Sequence, residues 1–208
     1  MMPDAIGFSR LRRTVERQGY RWDARDLGLN LVGIRAADGS ARRRDSNYFN
    51  DWIAAAWYQA GRANLVMLPA TTDPGSYWRT HPMTPKGTAI LAPGRYPGMW
   101  RLGLHRGQYE ALVQIGACIV YRDNDRDQQL DGQLVDHGIF GINLHRAADS
   151  YERTADREAA VDRWSAGCQV VPDTFDYGLL MALCRKHVRA HGNRFDYTLI
   201  EEQLLWTR

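Results

Sequence analysis

The chain has 208 residues, 44% hydrophobic and 25% charged, which is the balance of a folded globular protein and excludes a disordered one. Its net charge of +3 is too small to argue for nucleic acid, though it suits an acidic or polyanionic surface. No apolar stretch approaches the roughly 18 residues needed to cross a membrane, and three cysteines without a C-x-x-C pair argue against a disulfide framework or a zinc ribbon.

In chain order, MMPDAIGFSRLRR lacks the basic-then-apolar order of a signal peptide, so synthesis in the cytoplasm is expected. FSRLRRTVERQGY (8–20) predicts a short basic helix stopped by Gly19. The expected division is a helical lead over 1–27 and a second unit over 28–208. LNLVGIR (29–35) predicts a strand, followed by an arginine-rich polar turn. DWIAAAWYQ (51–59) is helical by its alanines and strand-like by its aromatic and aliphatic content, so both remain open. ANLVMLPATT (63–72) predicts a strand, and TTDPGSYWRTHPMTPKG a long functional loop.

GTAILA, MWRLGLH, ALVQIG, ACIVYR and IFGINLH (139–145) then predict short strands between glycines and polar turns. RAADSYERTADREAAVDRW is a polar, helix-prone excursion, and CQVV is a short strand. PDTFDYGLLMALCRKHVRAHG is the clearest helix, opened by Pro172 and Asp173 and closed by Gly192, and FDYTLIEE predicts a last strand. The sum is an α+β, mainly β fold without the βαβα alternation of a parallel sheet.

Cys118 and Cys184 sit in apolar runs and predict buried small hydrophobes. Cys168, in RWSAGCQVV, is different. Taken alone it fits a structural cysteine beside a turn. A reactive cysteine needs a group to take its proton, and His145, ending IFGINLH, is the best placed. Gly167 can turn amide hydrogens inward, so the amides around Gly167 and Cys168 form a candidate oxyanion hole.

GINLHR, SAGC and TPKGTAIL (84–91), in an order that spans roughly 64–185, together resemble the L,D-transpeptidases of bacterial peptidoglycan. The resemblance implies mixed β-sheets or a β-sandwich with a helix after the cysteine. It implies Cys168 as nucleophile, His145 as base, and Ser165 as a residue that supports the site by hydrogen bonding. The implied substrate is the peptidoglycan stem peptide, with a thioester intermediate and no metal or organic cofactor. The family usually has histidine where this chain has Ala166, and asparagine or arginine where it has Val170. Arg146, Arg163, Trp164 and Gln169 flank the site as candidate substrate contacts, as do Tyr77 and Trp78 in the long loop and His105 in RLGLHRG.

Without a signal peptide, delivery to the wall by lysis or a secretion apparatus is expected. That brings in a lytic carboxypeptidase or endopeptidase of a phage, or a secreted antibacterial effector, as the alternative. A non-catalytic wall-binding or virion module is the alternative of another class. No nucleic-acid partner and no membrane insertion are expected, and a monomer is. YRDNDRDQQLD spaces Asp123, Asp125, Asp127 and Asp131 like a calcium loop but lacks the turn glycine and final glutamate of an EF-hand. HVRAH (187–191) has the histidine spacing of a zincin helix but not its glutamate.

Overall fold

The structure is a computed structural model that describes residues 7–36, 47–126, 134–147 and 160–207. It is α+β and mainly β. The elements are α1 (Phe8–Arg17), β1 (Asn30–Arg35), β2 (Asp51–Gln59), β3 (Arg62–Ala70), α2 (Ser76–Thr80), β4 (Thr88–Leu91) and β5 (Gly94–His105). They continue with β6 (Tyr109–Gln114), β7 (Cys118–Asp123), β8 (Leu134–Gly138), β9 (Leu144–Arg146), β10 (Gln169–Val171), α3 (Thr174–His191) and β11 (Phe195–Glu201).

Eight strands form one sheet in the order β10-β9-β6-β5-β11-β1-β2-β3, and β4-β7-β8 form a second. Among the named strands β1–β11 and β9–β10 pair in parallel and the other pairs are antiparallel. The two edges of the large sheet meet. Thr71, just past β3, exchanges backbone hydrogen bonds of 2.9 and 3.0 Å with Val170 of β10. The sheet therefore closes on itself, which satisfies at this point the backbone groups an open edge leaves unpaired.

The central strands are apolar on both faces because both faces are covered. Ile53 and Ala55 of β2 join Leu31, Tyr197 and Leu199 in the main core. Ala54 and Ala56, on the other face, join Val32, Ile34 and Ile200 beneath α1, which contributes Leu11 and Val15. Burying one such side chain contributes about 1.5–3 kcal/mol. This two-sided burial decides β2: its alanines serve a tightly covered strand, not a helix. The N-terminal lead thus docks on the sheet, and Trp22 belongs to the same cluster.

α3 lays Tyr177, Leu180, Met181 and Cys184 into the main core. Its N-terminus is capped by Asp173, whose Oδ1 accepts from the amides of Phe175 (2.8 Å) and Asp176 (3.0 Å). Cys118 and Cys184 are buried, as their apolar settings predict. Burial pushes the Cys118 thiol up to about 11, and Cys184 is raised for the same first reason.

One strand expectation needs correction. Of IFGINLH, only Leu144 and His145 are in a strand. The preceding residues leave the ladder because Gly141 has φ +76° and the amides of Phe140 and Ile142 donate to the side-chain Oε1 of Gln114 (3.0 and 2.8 Å).

Candidate active site

β9 and β10 run side by side in parallel, with Val170 opposite His145 and Gln169 opposite Leu144. Cys168 immediately precedes β10 and falls beside Asn143. The Asn143 amide approaches Cys168 Sγ at 3.5 Å, Gly141 O lies 3.5 Å from the sulfur, and Gln169 N donates to Asn143 O at 2.8 Å. Strand alternation puts the side chains of Asn143 and His145 on one face, the face of Cys168 and Val170 on the neighbouring strand. The long excursion between residues 146 and 168 thus returns the cysteine to the histidine's edge.

His145 is buried, and its Nδ1 lies 2.8 Å from the carbonyl oxygen of Arg146. A carbonyl only accepts, so Nδ1 carries the proton and Nε2 keeps its lone pair. Tyr109 Oη donates to the same carbonyl at 3.3 Å. Burial first, then the neighbouring His105, pushes the His145 pKa down to about 3, against the opposing effect of the Arg146 carbonyl. Burial likewise raises the Cys168 thiol, with the Asn143 amide and Arg106 opposing. The resting pair is therefore a neutral imidazole and a thiol, not a preformed ion pair.

His105 stands in the site, not merely near it. Its ring stacks on that of His145 with centroids 4.2 Å apart and planes 29° apart. Asn143 holds it there: its Oδ1 accepts from Gln114 N at 2.8 Å, which orients Nδ2 toward His105 Nδ1 at 3.2 Å. His105 accordingly carries its proton on Nε2. Asn143 and Tyr109 are site residues that the sequence reading missed. The available signal was parity, since Asn143 sits two residues before His145.

Ser165 organises the turn before the cysteine. Its Oγ donates to Cys168 O (2.8 Å) and accepts from Gly167 N (3.1 Å). Gly167 has φ +120°, and a Cβ there would come within 2.4 Å of the Ala89 carbonyl oxygen, so glycine is required. This corrects the expected oxyanion pair: the Gly167 amide is already spent on Ser165. The Cys168 amide has no acceptor among the described residues and is the donor that stays available.

The expected substrate contacts divide. Gln169 is fully buried on the opposite face, where Tyr197 Oη donates to its Oε1 at 2.7 Å, so it presents nothing to a ligand. Arg146 is also buried, with its guanidinium 4.4 Å from the Tyr109 ring centre, and supports the His145 edge from within. Tyr77, Trp78, Arg163 and Trp164 do converge. Arg163 stacks 4.0 Å over Tyr77, and the Trp78 indole donates to Arg163 O at 3.0 Å. Tyr77, Arg163 and Trp164 line an open recess of about 490 Å³. It is tied to the cysteine turn by Gly75 N donating to Ser165 O at 2.8 Å. TPKG forms the expected turn into β4, with Gly87 N donating to Thr84 O at 3.0 Å.

Asp127 and Asp131 of the calcium-like loop lie outside the described residues. Among the described residues no group of three or more His, Cys, Asp or Glu side chains is placed to hold a metal ion. No helix among the described residues is long and apolar enough to cross a membrane. Comparison with known proteins finds no matching family model, curated protein or solved structure.

Proposed function

We propose that the protein is a cysteine-dependent acyl transferase of the L,D-transpeptidase kind, acting on peptidoglycan stem peptides. The observation that carries this reading is the parallel β9–β10 pairing, which sets Cys168 beside Asn143, two residues before and on the same face as a histidine whose Nδ1 is fixed on a backbone carbonyl. The order of GINLHR, SAGC and TPKGTAIL supplies the substrate class.

With both groups neutral at rest, the chemistry is general-base attack. As Cys168 Sγ bonds to the substrate carbonyl carbon, His145 Nε2 takes the thiol proton. The carbonyl oxygen becomes an oxyanion, for which the Cys168 amide is the available donor. Collapse breaks the C–N bond, His145 returns the proton to the leaving amine, and a thioester remains. An amine acceptor completes transfer, and water completes hydrolysis. Burial and then Arg106 also lower the pKa of the stacked His105.

The test is mass analysis of muropeptides after incubation with wild type and Cys168→Ala. Cross-linked or exchanged stems that vanish in the variant support transfer, and shortened stems that vanish indicate the lytic alternative. Products unchanged in Cys168→Ala overturn the reading. Absence of products from both, with undiminished peptidoglycan pull-down, indicates the non-catalytic module.

A further inference from the structure

A separate cavity lies away from the cysteine. It is a cleft of about 600 Å³, within the roughly 300–1,000 Å³ usual for small-molecule sites. Four segments wall it: α1 with the stretch after it, β1, the start of β5, and the end of α3 with β11. None of its lining residues belongs to the cysteine site.

Its chemistry is cationic. Arg21, Arg25, Arg95 and Arg194 face Asp23 and Asp196. Both carboxylates are already committed. Asp23 pairs with Arg25 at 2.6 Å, and Asp196 pairs with Arg95 while its Oδ1 accepts from Gly98 N at 2.7 Å. Arg21 and Arg194 have no carboxylate partner among the described residues, which leaves two positive charges in excess.

The walls are set before any ligand arrives. Asn30 fixes Asp23 from both sides, accepting from its amide at 2.8 Å and donating to its carbonyl at 2.9 Å. Arg194 lies across Gly98, where a Cβ would come within 2.4 Å of its Nε. Trp22, only 7% exposed, supports the wall from the cluster beneath α1. His187 offers nothing further, since Leu29 N donates to its Nδ1 (3.1 Å) and its Nε2 donates to Arg194 O (3.2 Å).

We propose that this cleft binds a small ligand bearing two anionic groups, carboxylate or phosphate, one for each uncommitted guanidinium. Arginine suits both because its planar fork matches two oxygens at once. An apolar ligand leaves the charged lining desolvated and unpaired. The proposal does not depend on the acyl-transfer reading.

The experiment is calorimetric titration of the intact protein with citrate and, separately, pyrophosphate. Saturable binding of either is expected. Arg21→Ala/Arg194→Ala weakens it by at least about tenfold, the effect of losing charge-assisted hydrogen bonds. Both side chains are exposed, so the double variant keeps its fold, which circular dichroism checks. Arg62→Ala/Arg101→Ala removes the same charge from exposed positions elsewhere and leaves affinity unchanged. Binding of citrate alone assigns carboxylate, and of pyrophosphate alone phosphate. Binding of neither, equal weakening in both double variants, or full affinity in Arg21→Ala/Arg194→Ala overturns the proposal.

Discussion

Two histidine pairs stand in this molecule, and their rings are similarly close: His105 and His145 at 4.2 Å, His187 and His191 at 5.3 Å. What separates them is how the nitrogens are used. His187 spends both on backbone groups, bracing α3 against β1 and the turn into β11, and His191 Nε2 donates to Asp26 O at 2.7 Å. In the other pair, His145 uses Nδ1 on a carbonyl and His105 uses Nδ1 on an amide, and each leaves Nε2 without a partner among the described residues. His191 keeps an Nδ1 that is free among the described residues but stands far from any cysteine-bearing turn; what sets His145 apart is an uncommitted nitrogen on a buried ring on the face of Cys168.

The largest expected break of this comparison is His145→Gln. On the proposed acyl-transfer function it removes the proton acceptor and is expected to lower turnover of wall fragments by about 100- to 10,000-fold, the usual worth of a general base. His187→Ala is the mirror experiment. It leaves the buried Leu29 amide and Arg194 carbonyl without their partner and lowers stability by about 2–4 kcal/mol in denaturant unfolding. Iodoacetamide labelling of Cys168 at low temperature stays as in wild type. If the two variants exchange phenotypes, the distinction is wrong.

Acid sharpens the contrast. Burial lowers the pKa of His145, His105 and His187 in the folded chain, so below about 6.5 the unfolded chain binds more protons than the native one. Stability is complete above that pH and falls as the pH drops, down to about 3 for His145. Thermal unfolding between pH 7 and 4 checks this, and His145→Gln flattens the profile. The smallest effect is on the thiol. Because Cys168 is raised from its ordinary value, labelling is slow at neutral pH and accelerates into alkaline pH. A rate already at its plateau near pH 7 contradicts the neutral resting pair. His105→Phe keeps the stacked ring but removes its proton, and changes turnover by less than about tenfold if His105 only positions its neighbour.

Most strands were legible because their apolar residues alternate or run unbroken. β8 was not: LVDHG is a largely exposed edge with too few apolar residues to mark it. The first part of β5 was hidden by Arg95, Pro97 and Gly98, none of which favours a strand interior. The cysteine and histidine were named from motif order. Asn143, Tyr109 and the spent Gly167 amide were not, because their roles arise from hydrogen-bond register across strands. The arginine cleft left no trace at all, since residues 21, 95 and 194 meet only through the fold.

The meeting of Thr71 with Val170 makes the large sheet a hoop, and the hoop's clasp sits two residues from the sulfur. β10 has only three residues, held by β9 on one side and by this short join on the other. The strand that follows Cys168 therefore has little holding it, while the far side of the ring is joined by the nine-residue ladder of β2 and β3. The closure of the ring is thereby narrow next to Cys168 and broadest at the β2–β3 hairpin.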